Sequence, residues 1–328
     1  MNKQALRADI LLLLTSCIWG FAFVAQRSGM DYMGPFTFNG IRFLLGSLSL
    51  LPLILYRKKK TGNRDGGSRG EAPVQSWGAD PARGPRGGEL SISSTGRVVL
   101  SSLLAGTCLF IGASLQQVGI IYTTAGHSGF ITGLYVVLVP IFGLFIGKKT
   151  GLSTWIGAGF TLTGLYFLSA AGNASSINPG DIITAISAVF WTLHVLVIDS
   201  LVQTVDPLVL STGQFAWCGL FSLIIALCTE PFQAGFAMAG LIPILYGGLA
   251  SVGVAYTLQV VAQRDAPPAH ASIILCLEGV FAAIGGVIIL SEPLGPWTLL
   301  GFALMFCGML TTQWDVIWGK PGKLRSTA

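Results

Sequence analysis

The chain has 328 residues, of which 52% are hydrophobic and only 10% are charged, and its mean hydropathy is +0.71. A chain of this length cannot hide so much apolar surface in one water-soluble core, so the composition excludes an ordinary soluble domain and predicts an integral membrane protein. The formal net charge of +5 is attributed to loop charges that set membrane topology, and it does not indicate a nucleic-acid-binding surface.

Ten segments are apolar and long enough to cross a bilayer, which takes about 20 residues per helix. In chain order they lie near residues 10–28, 36–56, 98–121, 125–147, 152–171, 182–200, 207–228, 239–262, 270–290 and 296–317. The predicted fold is therefore all-α, with ten transmembrane helices.

The segment 57–97 is the only long polar stretch, and it separates helices 2 and 3. It is rich in Gly, Arg, Ser and Pro, so it cannot bury enough apolar area to offset the entropy of ordering, and we expect a disordered cytoplasmic loop. Its run Arg57-Lys58-Lys59-Lys60 is interpreted as a stop-transfer anchor, with binding of anionic membrane lipid or of a partner as the alternatives. The other parts are residues 1–56 with helices 1 and 2, residues 98–171 with helices 3 to 5, residues 180–317 with helices 6 to 10, and a cytoplasmic tail at 318–328.

Residues of the first half recur in the second half at fixed spacings. The matches are Asp9, Trp19 and Pro35 with Asp181, Trp191 and Pro207 at 172 positions, and Gln117, Trp155, Gly159 and Phe160 with Gln259, Trp297, Gly301 and Phe302 at 142 positions. Each half contains five predicted helices, which is an odd number, so the second half must enter the membrane from the opposite side. The sequence therefore predicts two inverted five-helix repeats, an architecture typical of secondary transporters.

The positive charges predict the orientation in the membrane. Lys and Arg are retained on the cytoplasmic side, and all but two of the 19 lie in loops or ends on one side of the predicted helices. The exceptions are Arg27 in an outer loop and Arg42 inside helix 2. We therefore expect both termini in the cytoplasm of a multi-pass protein of the cell's inner membrane.

Two tryptophans related by the repeat, Trp19 and Trp191, lie near the middle of their helices, about 14 Å from one end at 1.5 Å per residue. Because Trp normally sits at the membrane interface, this depth indicates a substrate cavity, although contact with lipid or packing is an alternative. His194 lies one turn beyond Trp191 on the same face. It is a candidate for binding substrate or a proton, with a structural hydrogen bond as the alternative.

Two charged residues fall inside predicted helices. An acid near the bilayer centre, such as Glu278, costs about 2.5 to 3.5 kcal/mol, so we expect it to couple transport to protons. Its repeat partner is Tyr135, also near mid-depth, and the alternative is a protonated Glu278 that joins two helices. An Arg42 that faces the cavity would favour substrates with a carboxylate or phosphate; its alternatives are a latch to an acid and a head group that reaches the outer interface.

A function from another class is also conceivable. The segment Gly126-His127-Ser128-Gly129 is similar to the site of an intramembrane serine protease, with Ser128 as nucleophile. Small residues at this spacing are also typical of close helix packing. The six cysteines show no Cys-x-x-Cys spacing, and we expect no metal site and no cofactor.

Several motifs together resemble those of one transporter family. They are Trp19-Gly20-Phe21-Ala22-Phe23-Val24, Asn39-Gly40-Ile41-Arg42-Phe43, Leu277-Glu278-Gly279-Val280-Phe281-Ala282 and Ser291-Glu292-Pro293-Leu294. In this order, the motifs resemble the EamA family of the drug/metabolite transporter superfamily. The chain departs from the family pattern at Gly279, where a Pro is usual, and at Lys148, where a Glu is usual.

The resemblance implies ten helices in two inverted halves around a central cavity, and the export of amino acids, related metabolites or drugs. We therefore expect a secondary transporter that exports a small metabolite by alternating access and has no enzymatic activity. Its proposed binding residues are Trp19, Trp191, His194, Tyr135 and Arg42, with Glu278 for coupling. An importer or a nucleotide-sugar carrier of the same superfamily is the nearest alternative, and a homodimer is left open.

Overall fold

The computed structural model describes residues 3–62, 94–148, 150–170, 179–231, 238, 240–291 and 295–317. Within these ranges the chain is helical and has no strand. Most of the predicted polar loop (63–93) and the C-terminal tail lie outside the described residues, while the second helix runs on to Gly62 and the third begins at Ser94.

The helices are α1 (Lys3–Gly29), α2 (Pro35–Gly62), α3 (Ser94–Gly119), α4 (Ala125–Thr132), α5 (Tyr135–Phe145), α6 (Leu152–Ala170), α7 (Pro179–Leu201), α8 (Pro207–Thr229), α9 (Leu241–Leu245), a π-helix (Tyr246–Tyr256), α10 (Thr257–Ala262), α11 (Pro268–Leu275), α12 (Glu278–Leu290) and α13 (Pro296–Ile317). Eight stretches of the described chain are long and apolar enough to cross a membrane. They are formed by α1, α2, α3, α4 with α5, α7, α8, α9 to α10, and α11 with α12.

Helices α6 and α13 coincide with the predicted segments 152–171 and 296–317, although they are not among these eight stretches. They pack extensively against each other. Small residues allow this close approach, because a Cβ at Gly164 would lie 2.6 Å from the carbonyl oxygen of Gly301.

Two of the eight stretches are broken near their middles. Helix α4 ends at Thr132 and α5 begins at Tyr135, and in the same way α11 ends at Leu275 and α12 begins at Glu278. Short-range bonds satisfy the backbone at each break, for example from the Val136 N–H to the Gly133 oxygen at 3.0 Å. These tight turns interrupt the two helices and redirect them.

The two breaks touch each other. The Cys276 Sγ donates a hydrogen bond to the Gly133 carbonyl oxygen at 3.4 Å, so the turn between α11 and α12 rests on the turn between α4 and α5. The breaks therefore bring Tyr135 and Glu278, the first residues of α5 and α12, into the centre of the molecule.

Helices α2 and α8 pack against each other, and carboxylates cap both of their N-termini. Asp206 caps its own helix, because its Oδ1 accepts from the Leu208 N–H at 2.9 Å, and its Oδ2 lies 3.4 Å from a terminal nitrogen of Arg57 at the far end of α2. The ion pair therefore joins the two helices at this end, while the cap stabilises α8 itself.

The other end of the α2–α8 pair is joined by a carboxylate from the opposite helix. Glu230, at the C-terminus of α8, accepts from the N–H groups of Phe36 and Thr37 at 2.7 and 2.8 Å and from the Thr37 hydroxyl at 2.6 Å. Gly34 leaves room for this carboxylate, since a Cβ at position 34 would lie 2.2 Å from the carboxylate carbon of Glu230. Helix α8 thus supplies the N-terminal cap of α2.

Candidate functional site

A narrow cavity lies among the broken helices, α1, α2, α7 and the π-helix. Its lining contains the aromatic residues Trp19, Phe23, Tyr135, Trp191 and Tyr256, the charged residues Arg42 and Glu278, and the uncharged polar residues Gln26, Gln116, Thr132, Ser251 and Gln259. The space free for another molecule is about 30 Å³, which holds about one or two water molecules. A metabolite can therefore enter only when the surrounding helices move apart.

Tyr256 joins the two predicted tryptophans into one aromatic wall. Its ring centroid lies 4.4 Å from that of Trp19 and 6.0 Å from that of Trp191, and it stacks on Trp191 with an interplanar angle of 27°. The Trp19 Nε1 donates to the Ser251 carbonyl oxygen at 3.4 Å. Tyr256 ends the π-helix, a type of helix that is frequent at functional sites.

His194 lies behind this wall and not in the cavity lining. It is fully buried, and its Nε2 lies 2.8 Å from the Oε1 of Gln214. Gln214 is the residue of the second half that corresponds to Arg42 at the repeat spacing of 172 positions. Its ring contacts those of Trp191 and Tyr256 at centroid distances of 6.0 and 6.3 Å. The geometry therefore supports His194 as a residue that positions the aromatic wall.

Glu278 and Tyr135 are neighbours at the helix breaks. Their side chains are 4% and 3% exposed and line the cavity. No hydrogen bond of good geometry joins the hydroxyl to the carboxyl, because the Tyr135 hydroxyl has no hydrogen-bond partner among the described residues. The carboxyl is therefore available to a proton or to a ligand.

Arg42 is fully buried, so its head group does not reach the membrane interface. Its Nε donates to the Oδ1 of Asn39 at 2.9 Å, and Asn39 in turn donates to the Ala113 carbonyl oxygen at 3.1 Å. The guanidinium carbon lies 4.9 Å from the ring centroid of Phe43 and 5.5 Å from that of Phe38.

The charge of Arg42 has no counter-ion in the described part of the chain. Its Nη2 has no hydrogen-bond partner there, and it forms no ion pair with Glu278 or with any other described carboxylate. A buried cation without a counter-charge is costly, so this end of the cavity favours an anionic group.

The sequence analysis did not identify several residues of the lining. Gln26 and Gln259 each keep a buried side-chain oxygen without a partner among the described residues, and Gln116 donates to the Thr132 hydroxyl at 2.9 Å. Glutamine inside an apolar helix is a signal that could have found three of these residues. Tyr256 gave no comparable signal, because aromatic residues also pack in lipid-facing and core positions.

The alternative nucleophile Ser128 is fully buried on α4. Its Oγ has no hydrogen-bond partner among the described residues, and the imidazole of the adjacent His127 makes no hydrogen bond there. An activated serine needs a base within hydrogen-bond reach, and this arrangement does not provide one. No group of three potential metal ligands occurs in the described ranges either.

The comparisons with known proteins agree with the all-helical architecture. A sequence model described as the EamA-like transporter family matches residues 6–170 and again residues 178–313. One solved crystal structure has a TM-score of 0.69 over 93% of this chain and 95% of its own, at 15% identity, and shows a likeness of fold alone.

Two relatives show how widely the similarity extends. An uncharacterized transporter of Archaeoglobus fulgidus is 29% identical over 312 residues, which are 94% of this chain and 86% of the relative. The uncharacterized inner membrane transporter YedA of Escherichia coli K12 is 22% identical over 90% of this chain and 87% of its own. The resemblance seen in the motifs is confirmed: the chain is a multi-pass membrane protein that belongs to the EamA-like transporter family.

Proposed function

We propose that the protein is a secondary carrier that exports a small metabolite across the inner membrane by alternating access. The carrier has ten transmembrane helices in two inverted repeats of five, with α6 and α13 as the fifth and tenth. The repeated match of one family sequence model to residues 6–170 and 178–313 supports two related halves. The positive-inside rule supports termini in the cytoplasm.

The observation that carries this proposal is the cavity, in which one basic and one acidic residue lie at separate positions. Tyr256 lines the cavity together with Arg42 and Glu278, whereas these two residues form no ion pair with each other. Arg42 suits a carboxylate, and Glu278 suits an ammonium group or a proton. Amino acids and related compounds carry both groups, and the aromatic wall would contact the part of the substrate between them.

Glu278 is the proposed coupling residue. A carboxyl that lines a closed cavity would exchange its proton only when the cavity opens to one side of the membrane. The same carboxyl would bind a substrate ammonium group only when it is deprotonated. Binding of a proton and binding of the substrate would therefore exclude each other, which is the requirement for exchange transport.

A flux assay in proteoliposomes tests this function. Vesicles preloaded with amino acids, sugars and organic cations are assayed with and without an imposed pH gradient, and we expect selective efflux of amino acids or related zwitterions that the gradient accelerates. Controls are protein-free vesicles and vesicles that contain Trp19→Ala protein. The proposal is wrong if no class moves faster than in protein-free vesicles of equal tightness, and preferential uptake would favour an importer.

A further inference from the structure

An Asp–His pair joins the two halves of the chain at one end of the molecule. The Asp9 Oδ1 lies 2.8 Å from the Nε2 of His270, and both side chains are largely buried, at 16% and 11% exposed. Asp9 lies near the start of α1 and His270 near the start of α11, and these helices pack together. We call this end of the molecule the α1 face.

The same two residue types recur in the opposite halves. Asp181 lies 172 positions after Asp9, and His127 lies 143 positions before His270. The first spacing also relates Trp19 to Trp191, and the second relates Tyr135 to Glu278. Asp181 lies near the start of α7 and His127 lies on α4, and these two helices also pack together. In the inverted repeat, this second pair lies at the opposite end, which we call the α7 face.

The second pair is not formed in this conformation. The Asp181 Oδ1 instead accepts from the Thr123 hydroxyl at 2.8 Å, while the imidazole of His127, four residues further on, makes no hydrogen bond in the described chain. The repeat places Ala266 at the position that corresponds to Thr123, so no hydroxyl competes with His270 for Asp9. The Asp9–His270 pair is therefore formed, whereas Asp181 bonds to Thr123 instead of to His127.

We propose that Asp9–His270 and Asp181–His127 are two latches that close opposite faces of the carrier in alternation, and that Thr123 holds Asp181 while the α1 face is closed. This inference rests on the inverted repeat of the proposed function. Because the two halves are inverted, the same residue types would close one face in one conformation and the opposite face in the other. Two other ion pairs at the α1 face, Arg57–Asp206 and Lys148–Asp199, have no equivalent of the same residue types in the other half.

Accessibility of a single cysteine in the cavity tests the latches without knowledge of the substrate. The probe is Ser251→Cys in a protein whose six native cysteines are replaced, alkylated by a membrane-impermeant maleimide in vesicles of known orientation. We expect faster alkylation from the α7 face than from the α1 face. Removal of the closed latch by His270→Ala or Asp9→Ala should raise the rate from the α1 face several-fold, and not completely, because the other two ion pairs remain.

Exchange of the two residues separates a latch from general damage to the fold. The double variant Asp9→His with His270→Asp keeps the pair and should restore the accessibility of the parent protein. The inference is overturned if the single variants leave both rates unchanged, or if the exchanged pair behaves like the single variants.

Thr123 provides the test at the other face. Thr123→Val should release Asp181 to His127 and lower alkylation from the α7 face several-fold, and the added change His127→Ala should cancel this effect. A matched control is Thr107→Val, since the Thr107 hydroxyl bonds only to the Leu103 oxygen of its own helix. An equal response of both threonine variants, or no response of Thr123→Val, would contradict the second latch.

The latches and the proposed function can fail separately. Accessibility that shifts as expected in a protein without flux would reject the proposed substrates and keep the latches. Normal flux with unchanged accessibility in the latch variants would reject the latches alone.

Discussion

Two glutamates of this protein, one half-buried and one buried, show how differently a carboxylate can be used. Glu230 accepts three hydrogen bonds of 2.6 to 2.8 Å at the N-terminus of α2. Glu278 is only 4% exposed and lines the cavity beside Tyr135, without a hydrogen bond of good geometry in the described chain. Satisfied donors and acceptors stabilise a structure, whereas a buried polar group without partners lowers stability and is available to a ligand. The number of partners thus distinguishes the structural carboxylate of Glu230 from the carboxyl of Glu278, to which the proposed function gives a role in transport.

The largest expected effect is that of Glu278→Gln. The amide cannot release a proton or carry a negative charge, so we expect transport to fall to the level of protein-free vesicles and its dependence on the pH gradient to disappear. The melting temperature should change little, because the carboxylate contributes few bonds to the fold. Flux and thermal unfolding of the purified protein check the two halves of this prediction. An unchanged rate and an unchanged pH dependence would remove Glu278 from the mechanism.

A smaller effect is expected from Arg42→Gln. Loss of the buried cation should raise the KM for a substrate with a carboxylate about tenfold, which corresponds to about 1.4 kcal/mol. The matched control is Arg27→Gln, because the Arg27 side chain is partly exposed and pairs with the exposed Asp31 four residues further on, and its KM should change less than about twofold. Concentration-dependent flux measures both constants. Equal changes in the two variants would show that the position of Arg42 in the cavity is irrelevant.

The smallest expected effect is on stability alone. Glu230→Ala removes a cap of α2, which typically costs about 1 kcal/mol, and the melting temperature should fall by a few degrees. The neighbouring Thr229 is exposed and bonds only within its own helix, so Thr229→Ala is the control and should leave the melting temperature unchanged. Transport per folded molecule should stay close to that of the parent, because the Arg57–Asp206 pair still joins α2 to α8 at the other end. A loss of transport without a loss of stability would place Glu230 in the transport cycle.

The all-helical, membrane-spanning architecture could be predicted because long apolar segments are a strong signal of transmembrane helices. The positions of Trp19, Trp191, Tyr135 and Glu278 along their helices predicted a similar depth in the membrane, and the structure brings all four residues to one cavity. Depth along a helix does not reveal which way a side chain points, and for this reason His194 was assigned to the cavity although it lies behind Trp191.

The helix breaks could not be predicted from the sequence. They occur at Gly133-Leu134 and at Cys276-Leu277, where no proline marks an interruption, and a hydrogen bond between residues far apart in the sequence joins the two turns. Tyr256 was also missed, because its role depends on the register of the π-helix, and helical periodicity does not reveal that register. Such features arise from tertiary packing and leave little trace in the pattern of hydrophobic residues.

The cap that Glu230 of α8 supplies to the N-terminus of α2 has a mechanical consequence. Helices α2 and α8 are fastened to each other at both ends, by Glu230 at one end and by the Arg57–Asp206 pair at the other. Two helices that are joined at both ends resist sliding along each other and separating, so we expect them to move as one rigid unit. In the proposed transport cycle, the bending that opens a pathway on one side of the membrane or the other would then be concentrated in the interrupted helices, whose two contacting turns would act as the hinge.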